Sequence, residues 1–265
     1  MTNTNRHGQR WSRQELLIAF GLYCKISFGK VNARNPEIIR AAAVIGRTPS
    51  SLAMKLANIA SLDSKITSTG RSGLSGASKV DREMWEEMHN WGSFIPVAEQ
   101  ALAEVAMIAK GGSEKESGRI RIGHDENVSY EGVDRETSST TRVGQDLFRA
   151  SVMSAYDNRC CITRLPIPVF LVASHIVPWS KNTKDRLNPS NGLSLSVIHD
   201  KAFDRGLITI SENMSVVLSS EIEGVDNDFF RAAIQNYEGK EIAMPEKFPP
   251  RQDFLEYHRN NVFQQ

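Results

Sequence analysis

Residues 169–218 leave this chain little freedom of fold. Val169-Phe170-Leu171-Val172-Ala173 is a β-branched and aromatic run that reads as a strand ending at Ser174-His175. Ile176-Val177-Pro178-Trp179 leads into a loop that carries Asn191, and Leu193-Ser194-Leu195-Ser196 alternates as the return strand. Val197 to Asp204 then reads as a short helix opened by His199-Asp200. Leu207-Ile208-Thr209-Ile210 and Ser215-Val216-Val217-Leu218 read as two further strands. Strand, loop, strand and helix in that order bring one histidine, one asparagine and a His-Asp pair into a small volume.

Those residue types suit one kind of chemistry. A phosphodiester resists attack because its oxygens are negative and its leaving alkoxide is poor. Cleaving it takes a base that activates water and a positive centre near the leaving oxygen. Histidine supplies a base near neutral pH, and a divalent ion held by oxygen ligands supplies the positive centre.

Here the chain resembles the HNH branch of the ββα-metal nucleases. The resemblance covers about residues 142–211, including Arg142-x-Gly144-Gln145-x-x-Phe148-Arg149. It implies an α+β fold with a ββα-metal nuclease domain at the C-terminal end. His175 stands at the family's general-base position, and Asn191 at the asparagine that pins the hairpin and orients the base. Asp200 falls at the helix-borne metal ligand, with His199 as the alternative ligand or the proton donor to the leaving group. Ser174 stands where many family members carry a second metal ligand, Asp or His. Oxygen ligation suits Mg²⁺ best, with Mn²⁺ or Ni²⁺ as further candidates. Arg149, Lys181, Lys184, Arg186 and Arg205 are candidate phosphate contacts. Asp204 reads as structural, Trp179 as packed against the hairpin, and Cys160 and Cys161 as buried small hydrophobes.

The N-terminal part reads as helical. Ser12-Arg13-Gln14-Glu15 forms a capping box ahead of Leu16, Leu17, Phe20 and Tyr23. Pro36 opens a second helix that Gly46 ends, and a third runs to about Ser61. Three helices with a tight turn between the last two resemble a helix-turn-helix module ahead of an HNH nuclease. Arg47, Ser50, Ser51 and Lys55 then face DNA. Residues 64–79 read as a flexible link. Pro96 splits residues 80–110 into two helices. Residues 111–141, rich in Gly, Ser and Glu, read as a weakly ordered acidic arm. The domains expected are 1–64, 65–141 and 142–265, with the nuclease core at 142–220.

Charge supports a nucleic-acid partner. Residues 1–80 hold 12 Lys and Arg against 3 Asp and Glu, whereas 81–141 hold 6 against 13. No apolar run reaches the length of a membrane span, and no secretory signal or disulfide framework is present, so a reducing cytoplasm is expected. The function expected is metal-dependent hydrolysis of duplex DNA in bacterial restriction or phage defence. The alternative is a catalytically weak DNA-binding subunit of a larger defence system. Cutting both strands with one HNH site implies a homodimer or two successive events.

Overall fold

Ser12 opens the first helix, α1 (Arg13–Lys25), through the capping box expected of it: its hydroxyl accepts from the Glu15 amide, and Glu15 accepts from the Ser12 amide. The computed structural model describes residues 9–70, 76–110 and 144–265. α2 (Pro36–Ile45) begins on an Asn35 cap and ends at Gly46, whose φ of 70° suits glycine best. α3 (Pro49–Ala60) follows a Thr48 cap.

The next stretch departs from the sequence reading. Residues 64–70 are not a loose link: Asp63 caps a short helix, α4 (Ser64–Thr67), and Ile66 is fully buried. Ser78 and Asp81 form a second capping box, opening α5 (Lys79–Met88). The break before α6 (Trp91–Lys110) falls at His89-Asn90, and Pro96 lies inside α6. There Pro96 forfeits only one backbone bond, toward the Gly92 carbonyl, and tertiary packing outweighs that loss. By length and composition, Trp91–Ala109 is apolar enough to cross a membrane, at mean hydropathy 1.2, contrary to the expectation of no such run. One side of α6 (Phe94, Ile95, Ala98, Ala101 and Val105) is buried, and the helix packs on α1 and α2. The expected acidic arm, 111–141, and Arg142 lie outside the described residues.

The C-terminal part is a small-sheet region beside these helices, so the whole is mixed α+β. α7 (Gln145–Ala155) packs on α1, α6 and both strands of a hairpin formed by β1 (Leu171–His175) and β2 (Gly192–Ser196). The hairpin is antiparallel, with Leu171 opposite Ser196 and His175 opposite Gly192. β1 starts two residues later than expected because Pro168–Phe170 forms a 3₁₀ turn. Glycine at 192 is a packing requirement: a Cβ there would lie 2.4 Å from Val152 Cγ2 of α7. α8 (Val197–Asp204) packs on the hairpin, and β3 (Ile208–Ile210) pairs with β4 (Val216–Leu218). α9 (Asp228–Ala233) and α10 (Gln252–Asn261) complete the chain. The sequence reading had no counterpart for α10, which packs on β3.

Two ties fix the helical part to the sheet part. Glu99 of α6 supplies the missing cap of α7, accepting from the amides of Gly144 (2.5 Å) and Leu147 (2.8 Å). Lys247, fully buried, donates to the carbonyls of Tyr23, Cys24 (2.9 Å) and Ile26 (2.9 Å) at the C-terminal end of α1.

Candidate active site

Asn191 holds the loop between β1 and β2 closed at its base. It is wholly buried; its Oδ1 accepts from the Val177 amide at 2.8 Å, its Nδ2 donates to the Val177 carbonyl at 3.2 Å, and its own carbonyl accepts from Ile176. Satisfying both ends of a buried amide fixes the chain direction at the exit of β1. That exit carries His175. The half-buried ring stacks on Phe148 of α7, with centroids 4.3 Å apart and planes 8° off parallel, and meets Trp179 edge-on at 5.6 Å. Its Nε2 lies 2.9 Å from the Arg186 carbonyl. A carbonyl only accepts, so Nε2 carries a proton.

Asp200 sits one turn into α8, half-buried, within electrostatic reach of Arg149. Burial pulls the Arg149 pKa down, opposed by the charges of Asp200 and Asp146. Arg149 donates to the Leu171 carbonyl at 2.7 Å. α7 therefore links both halves of the site: Phe148 lies against His175, and the next residue feels Asp200. Ser174 alternates to the opposite face of β1 from His175, is buried, and its hydroxyl has no hydrogen-bond partner.

Residues 160–211 match the family model for the HNH endonuclease. This stretch is an HNH endonuclease domain. No curated protein matches the chain. Among solved structures, a modification-dependent TagI restriction endonuclease shares 20% identity across 46% of this chain and 40% of its own, with a TM-score of 0.32. The likeness thus spans less than half of that protein.

Within the HNH domain, His199 departs from the sequence reading. It is only 2% exposed, with Nδ1 at 2.8 Å from the Ser196 hydroxyl and its ring edge-on to Tyr237. Nε2 has no hydrogen-bond partner in regular geometry. Burial pushes its pKa down to about 4, against a smaller opposing effect of the Ala233 backbone. Ala233 and Tyr237 lie against it, and at 2% exposure the ring offers almost no surface from which to pass a proton to a leaving group. Of the two helix candidates, Asp200 is the one within reach of solvent.

The candidate DNA contacts divide sharply. Arg47 does not face a groove: it is buried, pairs with Glu15 at 2.9 Å, and donates to the Gln9 and Arg10 carbonyls. Lys55 is likewise buried against Asp81 at 2.8 Å. Both cations also lie over the Trp11 ring, at 4.7 and 5.0 Å. Since Lys55 is the sole cation in the sequence of α3, that helix presents none to DNA. Ser50 is exposed and Ser51 half-buried. Lys181, Lys184 and Arg205 are exposed, and Arg186 is half-buried.

HNH endonucleases typically use a divalent metal. Among the described residues no three His, Cys, Asp or Glu side chains gather closely enough to hold an ion, so a closed zinc site does not fit. A Mg²⁺-type ion does fit, because it keeps several waters and takes one or two carboxylates with substrate oxygens. Asp200, half-buried on α8, offers the carboxylate.

Two buried histidines set the acid tolerance of this domain. His258 of α10, stacked on Phe203, is also pushed down to about 4 by burial. Folded-state pKa values below the ordinary 6.5 mean that the unfolded chain takes up protons that the folded chain refuses. Stability is therefore full above about pH 6.5 and falls as pH drops toward 4, by up to about 3 kcal/mol per histidine. Thermal melts from pH 7.5 to 4.5 should show this decline, and His258→Gln should flatten it.

Proposed function

We propose that the chain is a metal-dependent endonuclease that hydrolyses the backbone of duplex DNA, acting in bacterial restriction or phage defence. The observation that carries this reading is His175, at the end of the first strand of an HNH domain, with Nε2–H committed to the Arg186 carbonyl and its ring held against Phe148. In this role Nδ1 takes a proton from the attacking water. The Arg186 carbonyl dipole then stabilises the imidazolium, as the buried Asn191 keeps the loop from moving away. Phe148 limits the ring to one plane. Asp200 would hold the divalent ion, which when bound supplies positive charge beside the leaving oxygen. Lys181, Lys184, Arg186 and Arg205 contact backbone phosphates.

A second reading, a DNA-binding subunit with a decayed nuclease site, draws on Ser174 at a ligand position. One assay separates the two. Supercoiled plasmid, with and without modified bases, is incubated with the protein in Mg²⁺, Mn²⁺, Ni²⁺ or EDTA. Relaxation or linearisation in Mg²⁺, abolished by EDTA and lowered about a hundredfold in Asp200→Ala, is the expected result. Binding without cleavage in every metal favours the decayed site.

A further inference from the structure

We propose that Trp179 is a positioning residue that holds two groups of the HNH site at once: the His175 ring by its edge and the Arg186 guanidinium by its face, so that Arg186 is presented to a DNA phosphate. The inference rests on the nuclease reading above and adds the device that sets its base and its phosphate contact together.

The loop from Pro178 to Ser190 is clamped at its base by Asn191, but that clamp reaches only Val177. Farther out the loop must deliver two things to fixed places: the Arg186 carbonyl to His175 Nε2, and a cation to the substrate. Trp179 is placed to do both. Its ring lies edge-on to His175 with centroids 5.6 Å apart and planes 84° apart, while the Arg186 guanidinium carbon lies 4.6 Å from its centroid. The indole therefore fills the corner between the base and the residue whose carbonyl holds it.

The charge state of Arg186 gives the stack its purpose. Arg47 is neutralised by Glu15, Arg251 pairs with Asp253, and Arg149 donates to the Leu171 carbonyl. Among the described residues, no carboxylate pairs with Arg186 and its guanidinium makes no hydrogen bond. A guanidinium held over an indole face by cation–π attraction, with no hydrogen bond taken up, keeps N–H donors that match two oxygens of a phosphate. A cation held in this way loses less freedom on binding than one on a mobile side chain.

The test exploits an asymmetry. Arg186→Ala removes the guanidinium but keeps the carbonyl that receives His175, whereas Trp179→Ala removes the support of both. Affinity for a duplex oligonucleotide is measured in EDTA, and the His175 tautomer is read from ¹⁵N shifts of the ring at pH 8. Arg186→Ala should weaken binding about tenfold, lower the slope of log affinity against log salt by about one, and leave the Nε2–H tautomer intact. Trp179→Ala should weaken binding comparably and also mix the tautomers. The double variant should bind no worse than either single one. Trp179→Phe, which keeps an aromatic edge and face, should recover most of both readouts and serves if the alanine variant folds poorly. Additive losses of affinity, or His175 shifts unchanged in both Trp179 variants, would overturn the proposal. Neither readout involves cleavage, so an inactive wild-type protein would remove the nuclease reading while leaving the pairing of Trp179 with Arg186 decided on its own.

Discussion

His175→Ala is expected to lower plasmid cleavage by about 10²–10⁴-fold, the range for loss of a general base, with little change in DNA affinity. The direction follows from the ring's surroundings. The ring stacks on Phe148, meets Trp179 at 5.6 Å and donates from Nε2 to the Arg186 carbonyl, so the fold supplies its orientation. Alanine also leaves a gap against Phe148, so lost activity could come from a collapsed hairpin. His175→Gln separates the two causes. A glutamine amide can still donate to the Arg186 carbonyl and fill much of the space, yet it accepts no proton at neutral pH. Equal loss of cleavage in both variants, with glutamine the more stable by denaturant titration, places the effect on proton transfer. Full activity in either one removes His175 from the chemistry.

What was legible in the sequence was local. The strand, loop, strand and helix around His175, Asn191 and Asp200 emerge from short-range patterns: β-branched runs, alternation and a serine cap at Ser196. The capping box at Ser12 and the stop at Gly46 were readable for the same reason. What stayed hidden depends on distant partners. Arg47 looked like a DNA contact because nothing nearby in sequence neutralises it, yet Glu15 lies 32 residues away. Lys55 finds Asp81 across 26 residues. The burial of His199 is decided by residues 233–237, outside any motif that contains it. Helix caps and strand alternation are written in consecutive residues; ion pairing across a fold is not. One signal could have helped: both misplaced cations stand within a segment that also holds Trp11, Glu15 and Asp81, enough acid and aromatic surface to retain them.

Lys247→Ala is expected to destabilise the protein by about 3–5 kcal/mol, because it breaks a buried cationic contact and bares its acceptors. The ammonium is fully buried, and its partners are the Tyr23, Cys24 and Ile26 carbonyls, the end of α1 where the helix dipole is negative. The Tyr23 and Phe248 rings flank it at 4.9 and 5.4 Å. Burial pulls its pKa down to about 8, so at neutral pH it remains charged and the contact is intact. Lys247→Met fills the volume but donates to none of the three carbonyls, so it should restore only the cavity part of the loss. Urea titration at pH 7 checks both variants; a loss under about 1 kcal/mol in Lys247→Ala would mean that water replaces the ammonium at little cost. The consequence reaches the HNH domain. Ser154 of α7 donates to the Cys24 carbonyl at 2.7 Å, and Ser27 donates to the Ser154 carbonyl at 2.9 Å. The same end of α1 that Lys247 caps thereby anchors the helix that carries Phe148 and Arg149. Loosening it should lower cleavage through misplacement of His175 before the protein unfolds globally, and cleavage should recover as temperature is lowered.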